Sequence, residues 1–219
     1  IAFAVHQCAR FTNNAKASHE EAVKRICRYL KGTQDQGMIV KPSEELKIDC
    51  YVDSDFAGLW GSEDNQDPVC VKSRTGYVLM LAGCPLLWVS KLQTEIALST
   101  MEAEYIALSQ AMRDLLPMRA MIQEVIGSLV PSSVNGNVTC LTHSTVFEDN
   151  DATRILATSP CMTPWSKHIA VKYHFFREKV ASGEVQIQRV DSSDQKADIF
   201  TKGLVQVKFE ALRKSLMGW

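Results

Sequence analysis

The chain has 219 residues, of which 46% are apolar and 22% are charged, so general disorder is excluded. The length predicts one large domain, or one domain with an appendage. The 24 Lys and Arg residues against 25 Asp and Glu give a net charge of −1. That balance argues against a nucleic-acid binder that relies on charge alone, but it is compatible with one whose acidic cluster is neutralised by metal.

Membrane insertion and a disulfide framework are both disfavoured by the sequence. No apolar stretch reaches the roughly 20 residues that a bilayer span needs. The seven cysteines are scattered and form no C-x-x-C pair, which indicates reduced thiols in an intracellular protein. Because the chain begins at Ile1 rather than Met, we expect a piece of a longer polypeptide.

The first forty residues predict a separate helical segment. Ser18 and Glu21 form a capping-box pattern, and Gly32 ends the run. Between them, apolar residues recur on one helical face, at Ala22, Ile26 and Tyr29.

From Lys47 the apolar residues alternate with polar ones, which predicts a half-buried strand. Residues 59–73 are polar and irregular and predict a loop. Two β-rich runs, Thr75–Leu81 and Leu86–Ser90, are separated by four turn-forming residues and predict an antiparallel hairpin.

Ser99 and Glu102 form a second capping-box pair and predict a helix from about Thr100. Pro117 predicts the start of another helix, which ends near Gly127, because proline is tolerated at a first helical position. A turn-rich linker is expected over Pro131–Asn137.

The remaining elements alternate between strand and helix. A strand over Thr145–Glu148 is followed by a brief helix, and a longer helix is expected from Thr163-Pro164 to Gly183. A strand over Glu184–Val190 then precedes two helices, near 194–202 and 206–217. This order predicts an α/β or α+β domain with a mixed sheet covered by helices.

Four acids stand at the ends of elements or against apolar faces: Asp53, Glu104, Asp149 and Asp198. Each alone could be a cap or a turn residue, and spacing does not prove that they converge. Asp55 and Glu102 are the nearest alternatives to the first two. Clustered carboxylates without Cys or His ligands would suit magnesium or manganese and not zinc.

Several motifs resemble the RNase H domain of copia-type retrotransposon polyproteins, and they occur in the family's order over about residues 47–204. The most recognisable is Ala97–Leu108. The others are Tyr51–Gly58, Ser73–Tyr77, Trp88–Gln93, Glu148–Ala152, Ser166–Ile169 with Tyr173–Lys179, and Asp194–Lys202.

The resemblance implies an RNase H-like fold, in which a mixed five-stranded sheet is flanked by helices. An N-terminal helical appendage is expected to precede this domain. His19–Thr33 resembles the segment just upstream, at the end of the reverse transcriptase, although the polymerase signature Tyr-x-Asp-Asp is absent. We therefore expect the end of a reverse transcriptase over 1–46, the RNase H domain over 47–204 and a C-terminal helix over 205–219.

The same resemblance implies an endoribonuclease that cuts the RNA strand of RNA–DNA hybrids during retrotransposon reverse transcription. Its two magnesium ions, or manganese in their place, would be held by the catalytic acids Asp53, Glu104, Asp149 and Asp198. Expected partners are the hybrid and the upstream reverse transcriptase region, in the cytoplasm (within a virus-like particle) or in the nucleus.

Basic side chains are expected to contact the phosphates of the hybrid, although a solvated helix face would show the same pattern. These candidates are Lys91, Lys167, His168, Lys172, Arg177 and Lys179.

One departure from many cellular and retroviral RNases H lies just before the last acid, where residues 190–197 contain no histidine. Residues 59–72 and 131–146 also match the family poorly. These departures leave a catalytically silent nucleic-acid-binding relic as the alternative. A second alternative is another nuclease of the superfamily that acts on DNA.

Overall fold

A mixed sheet of five strands organises the chain in this computed structural model, which describes residues 1–61, 67–129, 143–159, 169 and 171–219. Its strands are β1 (Ile48–Asp55), β2 (Arg74–Leu81), β3 (Cys84–Leu92), β4 (Ser144–Glu148) and β5 (Val185–Arg189). Their spatial order is β3-β2-β1-β4-β5. Strands β1, β2 and β3 pair antiparallel, whereas β1–β4 and β4–β5 pair parallel. The predicted α/β class with a mixed five-stranded sheet is confirmed.

Helices lie on both faces of this sheet. They are α1 (Ala2–Ala9), α2 (Ala17–Gly32), α3 (Thr100–Leu129), α4 (Asp151–Thr158), α5 (Arg177–Ala181), α6 (Asp198–Thr201) and α7 (Gln206–Met217). Short 3-10 helices cover Pro68–Val71 and Val171–His174. Within the described ranges, no helix has the length and apolar character needed to cross a membrane.

The predicted hairpin is confirmed, but its turn is shorter than predicted. Ala82 and Gly83 alone connect β2 to β3, and both have positive φ angles, of 49° and 80°. Two such residues are typical of the type I′ turn, whose twist matches that of the flanking strands. Strand β3 therefore begins at Cys84 and includes Pro85, which is tolerated because β3 is an edge strand.

The prediction of two helices divided at Pro117 is wrong, because α3 continues through this proline. Its core-facing residues are buried on both sides of the proline, at Leu115 and Arg119, and the Arg119 guanidinium donates a hydrogen bond to Ser144 Oγ at 3.1 Å. We attribute the unbroken helix to this packing, which offsets the roughly 3 kcal/mol that an internal proline costs.

The predicted caps had mixed outcomes. Ser99 Oγ accepts a hydrogen bond from the backbone N–H of Glu102, as expected for a helix that begins at Thr100. Ser18 does not cap α2, because the helix already begins at Ala17. There the backbone N–H of Lys16 donates to His19 Nδ1 at 3.0 Å.

The helix predicted to end at Gly183 is not continuous in its described part, where a 3-10 helix and α5 replace it. Its expected start at Thr163-Pro164 lies outside the described residues, as does the linker expected over Pro131–Asn137. The helix expected near 194–202 is shorter, covering Asp198–Thr201.

Side chains of β2 alternate between two apolar layers. Tyr77 and Leu79 pack into the core formed with α3, whereas Val78 and Met80 pack with Phe200 on the opposite face. Between these residues and the strand's start, Gly76 allows α6 to approach closely. A Cβ at this position would lie 2.6 Å from Thr201 Cγ2 and 2.9 Å from Phe200 Cβ.

Candidate metal centre

Parallel pairing of β1 and β4 places two of the predicted acids at the same end of the sheet. Tyr51 is in register with Phe147, so Asp53 and Asp149, each two residues further along, emerge side by side. Gly76 is the partner of Asp53 on the other side, in β2. The close approach of α6 to Gly76 therefore brings that helix to the same end of β1.

Helix α3 supplies a third acid from its second turn. One carboxylate oxygen from each of Asp53, Glu104 and Asp149 lies within 4.8 Å of the others. The alternatives raised by the sequence stand outside this group. Glu102 instead accepts a hydrogen bond from the Leu98 backbone N–H at 2.7 Å, while Asp55 is only partly buried.

Asp198 lies beside this group but is held by lysines. Lys202 Nζ is 2.7 Å from Asp198 Oδ1 and 3.5 Å from Asp53 Oδ2. Lys208, on α7, contacts the second carboxylate oxygen of Asp198. The structure thus brings three of the four predicted acids together and joins the fourth to Asp53 through an ammonium group.

The electrostatics of the group are those of buried like charges. Burial raises the pKa of Asp53 to about 6; the Lys202 ammonium opposes this shift, and the charge of Asp198 adds to it. Burial also raises the pKa of Glu104 well above its usual range, and the neighbouring charges of Glu148 and Asp53 raise it further. Burial would lower the pKa of Lys202, but the carboxylates of Asp53 and Asp198 outweigh it, so that the pKa is raised.

Five residues that contact the predicted acids or lie next to them were not predicted from the sequence as site residues. Thr201 Oγ1 donates to Asp53 Oδ2, and Ser192 Oγ donates to Asp149 Oδ2 at 2.8 Å. The other three are Lys202, Lys208 and Glu148. Most of these residues lie inside or beside the motifs given above. Closeness in the sequence to a predicted acid could therefore have indicated them as site residues. Lys208 carried no such signal, because it lies on the following helix.

The residues fit a hard divalent cation. In the described part of the chain, three carboxylates converge without a cysteine or histidine beside them, which favours magnesium or manganese over zinc. Glu104 Oε2 is buried and has no hydrogen-bond partner among the described residues. A buried oxygen in that state is costly unless a cation or a proton compensates it.

The predicted phosphate-contacting residues are only partly arranged for that role. Lys91 is exposed on β3, whereas Lys172 contacts Glu95 and lies 4.9 Å from the centre of the Tyr173 ring. Arg177 donates to the backbone carbonyl of Ser159, and Lys179 Nζ is 2.8 Å from Glu184 Oε1. The remaining two, Lys167 and His168, lie outside the described residues.

Comparison with known proteins points to one family. The chain is 34% identical over 218 residues to the "Retrovirus-related Pol polyprotein from transposon TNT 1-94" of Nicotiana tabacum, covering 100% of this chain and 15% of that polyprotein. It is 31% identical over 216 residues to the "Retrovirus-related Pol polyprotein from transposon RE2" of Arabidopsis thaliana, covering 99% of this chain and 14% of the relative. The chain therefore spans about one seventh of the length of these relatives.

Among solved structures, the N-terminal RNase H domain of a Mycobacterium tuberculosis protein, fused to maltose-binding protein, is similar with a TM-score of 0.46. The sequence identity is 13%, and the match covers 78% of this chain and 99% of the other. No protein-family model matches the chain. The sequence relatives of the chain are therefore retrovirus-related Pol polyproteins of copia-type transposons, and nearly the whole chain is similar to one segment of them.

Proposed function

We propose that this chain is an endoribonuclease that cuts the RNA strand of RNA–DNA hybrids by metal-ion-dependent hydrolysis. The observation that carries the proposal is the group of three buried or half-buried carboxylates, Asp53, Glu104 and Asp149, within 4.8 Å of one another. Its position at the carboxyl end of parallel strands, in a chain related to Pol polyproteins, supports the assignment.

These three side chains would hold two magnesium or manganese ions, with Asp198 as a fourth acid beside them. When bound, such ions make water a stronger nucleophile and stabilise negative charge on the leaving oxygen. Asp53 is oriented for this role by the hydroxyl of Thr201, and Asp149 by the hydroxyl of Ser192. Asp53 and Glu104 are buried, so their charges act in a medium of lower polarity than water.

Hybrid binding is assigned to the basic side chains predicted from the sequence. Lys91 is exposed for phosphate contact, while Lys172 and Lys179 would have to exchange their present carboxylate partners for phosphate. Solvent-exposed ion pairs contribute little to stability, so that exchange is inexpensive. Recognition of a hybrid depends on 2′-hydroxyl groups and groove shape, and we therefore expect no strong sequence preference.

As a segment of a polyprotein, the chain would act together with the upstream reverse transcriptase region during retrotransposon reverse transcription. That region, expected to end within residues 1–46, would deliver the hybrid to the acids. The cytoplasm and the nucleus are the compartments in which we expect this reaction.

The test is cleavage of a labelled RNA–DNA hybrid by the full chain, in magnesium, in manganese and in EDTA. Asp53→Asn and Glu104→Gln should each reduce RNA-strand cleavage by more than about 100-fold, because they remove charge that holds the ions. Glu102→Gln is the matched control, because glutamine keeps the oxygen that accepts from Leu98, and it should cut like the parent.

Other results would contradict the proposal. Retarded migration of the hybrid without cutting, from a folded protein in either metal, would identify a binding relic. Cleavage of duplex DNA without cleavage of the hybrid would identify a different nuclease of the superfamily.

A further inference from the structure

Glu148, the last residue of β4, is a fifth acid close to the candidate metal centre, and no site role is predicted for it from the sequence. Its side chain is fully buried, with 0% exposure. Glutamate is almost never buried to this extent without a partner. The residue therefore needs a compensating group.

The two carboxylate oxygens of Glu148 have different surroundings. Oε1 accepts a hydrogen bond from the backbone N–H of Asn150 at 3.0 Å, at the turn that leads into α4. Oε2 is buried and has no hydrogen-bond partner among the described residues. The turn therefore explains only one of the two oxygens.

Glu148 lies next to the predicted metal ligands in the sheet. It directly precedes Asp149 at the end of β4, and the register of Tyr51 with Phe147 brings this end of β4 beside the end of β1 that carries Asp53. Glu104 Oε2 is likewise buried without a hydrogen-bond partner in the described part of the chain. Two buried carboxyl groups, Glu104 within the group of three and Glu148 next to Asp149 in β4, thus each have an oxygen without a hydrogen-bond partner among the described residues.

A bound cation would compensate the negative charge of these two buried carboxylates, which a hydrogen bond from a neutral group does not neutralise. A divalent ion held by Glu104 would offset the charge of both glutamates, whereas no described cationic side chain has an ion pair with either of them. Glu148 stands outside the group whose oxygens lie within 4.8 Å of one another, so it is not itself one of these close ligands.

We propose that Glu148 is a positioning residue of the metal centre: a further carboxylate whose charge raises the affinity for the divalent cation while Asp53, Glu104 and Asp149 supply the ligand oxygens. This inference rests on the proposed function. It adds a residue that tunes metal affinity, and the acids predicted from the sequence keep their roles.

The test measures Mn²⁺ binding to the full chain by titration calorimetry and by thermal unfolding, in the absence of nucleic acid. Glu148→Gln keeps an oxygen for the Asn150 N–H and removes only the charge, so the Mn²⁺ dissociation constant should rise roughly 10-fold to 100-fold. The metal-free midpoint of unfolding should stay the same or rise, because like-charge repulsion is removed. Glu148→Asp should restore part of the affinity, and Glu102→Gln should bind Mn²⁺ like the parent.

Each remaining outcome decides the matter. If Glu104→Gln abolishes Mn²⁺ binding while Glu148→Gln and Glu148→Asp bind like the parent, Glu148 only shapes the turn, and the inference fails while the proposed function stands. If Glu148→Gln does not fold, Glu148→Leu removes the charge in its place, and Mn²⁺ binding by that variant equal to the parent's also overturns the inference. If the parent chain itself binds no Mn²⁺, the proposed function and the inference fail together.

Discussion

Buried carboxyl groups in close proximity make the candidate metal centre electrostatically unfavourable without a cation, and individual residues offset this to different extents. Asp53 has the hydroxyl of Thr201 and the ammonium of Lys202 as partners. Glu104 and Glu148 each have an oxygen without a hydrogen-bond partner among the described residues. Metal-free stability should therefore depend on how many of these groups are protonated.

We predict that the stability of the metal-free protein falls as the pH rises from about 4 through 6. Burial raises the folded-state pKa of Asp53 from 3.8 to about 6, so in this range the folded state binds more protons than the unfolded state. The stabilising effect is fully present below the unfolded pKa and is lost as the pH rises through the folded pKa. The contribution of this residue is on the order of 1–3 kcal/mol.

Urea unfolding in EDTA at several pH values between 4 and 7 measures this dependence. Asp53→Asn provides the comparison, because it leaves the titration of remote carboxyl groups in place. The variant should lose less stability than the parent across this range. Parallel pH profiles for the two proteins would show that Asp53 does not titrate in this way.

At the scale of elements, α7 is connected to the centre by one side chain. Lys208 contacts Asp198, and its ammonium also donates to the backbone carbonyl of Ser192 at 2.9 Å. The hydroxyl of Ser192 in turn donates to Asp149. Helix α7 follows the region that resembles the RNase H domain. It thus contacts Asp198 directly and Asp149 through Ser192.

Lys208→Met should strengthen divalent-cation binding and weaken the metal-free fold. The substitution makes the centre more negative by one charge, so the Mn²⁺ dissociation constant should fall several-fold, to an extent that decreases with added salt. Metal-free stability should drop by about 1–2 kcal/mol, because buried Asp198 then has one ammonium partner, Lys202, among the described residues.

The same titration and urea unfolding, repeated on Lys214→Met, control for the general loss of a positive charge from α7. Lys214 is exposed on the same helix, and its replacement should leave both quantities unchanged. Weaker Mn²⁺ binding by Lys208→Met would mean that this lysine holds Asp198 in a productive position and does not compete with the metal.

Local patterns predicted the elements well where local physics decides them. Period-two alternation identified β1, two β-rich runs divided by turn-forming residues identified the hairpin, and Ser99 identified the start of α3. Local patterns failed where tertiary packing determines the structure. Pro117 is the example, because it lies inside α3 although its residue type predicts a helix start. The lysine partners of Asp198 and the unsatisfied oxygen of Glu148 depend on how separate elements pack, and a single sequence does not encode that directly.

At the scale of the whole molecule, both terminal segments pack against the strands of the expected RNase H region. Buried Arg74 of β2 contacts His6 and Gln7 of α1, and its guanidinium lies 5.1 Å from the Phe3 ring centre. The C-terminal segment joins the N-terminal one as well, since the Ile39 backbone N–H donates to the carbonyl of Met217 at 2.9 Å. The boundaries at 46 and 204 remain predictions, but the packing crosses both of them.

The isolated segment 47–204 should therefore be much less stable than the full chain. The segment lacks α7, so the apolar layer of Val78, Met80 and Phe200 loses Leu216, with which it packs in the full chain, and becomes exposed. Burial of Leu212 and Leu216 contributes roughly 1.5–3 kcal/mol each, and loss of α1 also removes two partners of buried Arg74. We expect a loss of several kcal/mol in the free energy of unfolding.

Thermal and urea unfolding of the segment and the full chain would measure this loss, with two point variants to locate its origin. Leu216→Ala in the full chain should cost about 2–5 kcal/mol, because Leu216 is buried in the second layer. Val207→Ala is the matched control on the same helix, since Val207 is 80% exposed, and it should change stability little. A segment 47–204 as stable as the full chain would mean that the first layer, between the sheet and α3, alone determines stability, and that the terminal helices pack without stabilising the sheet.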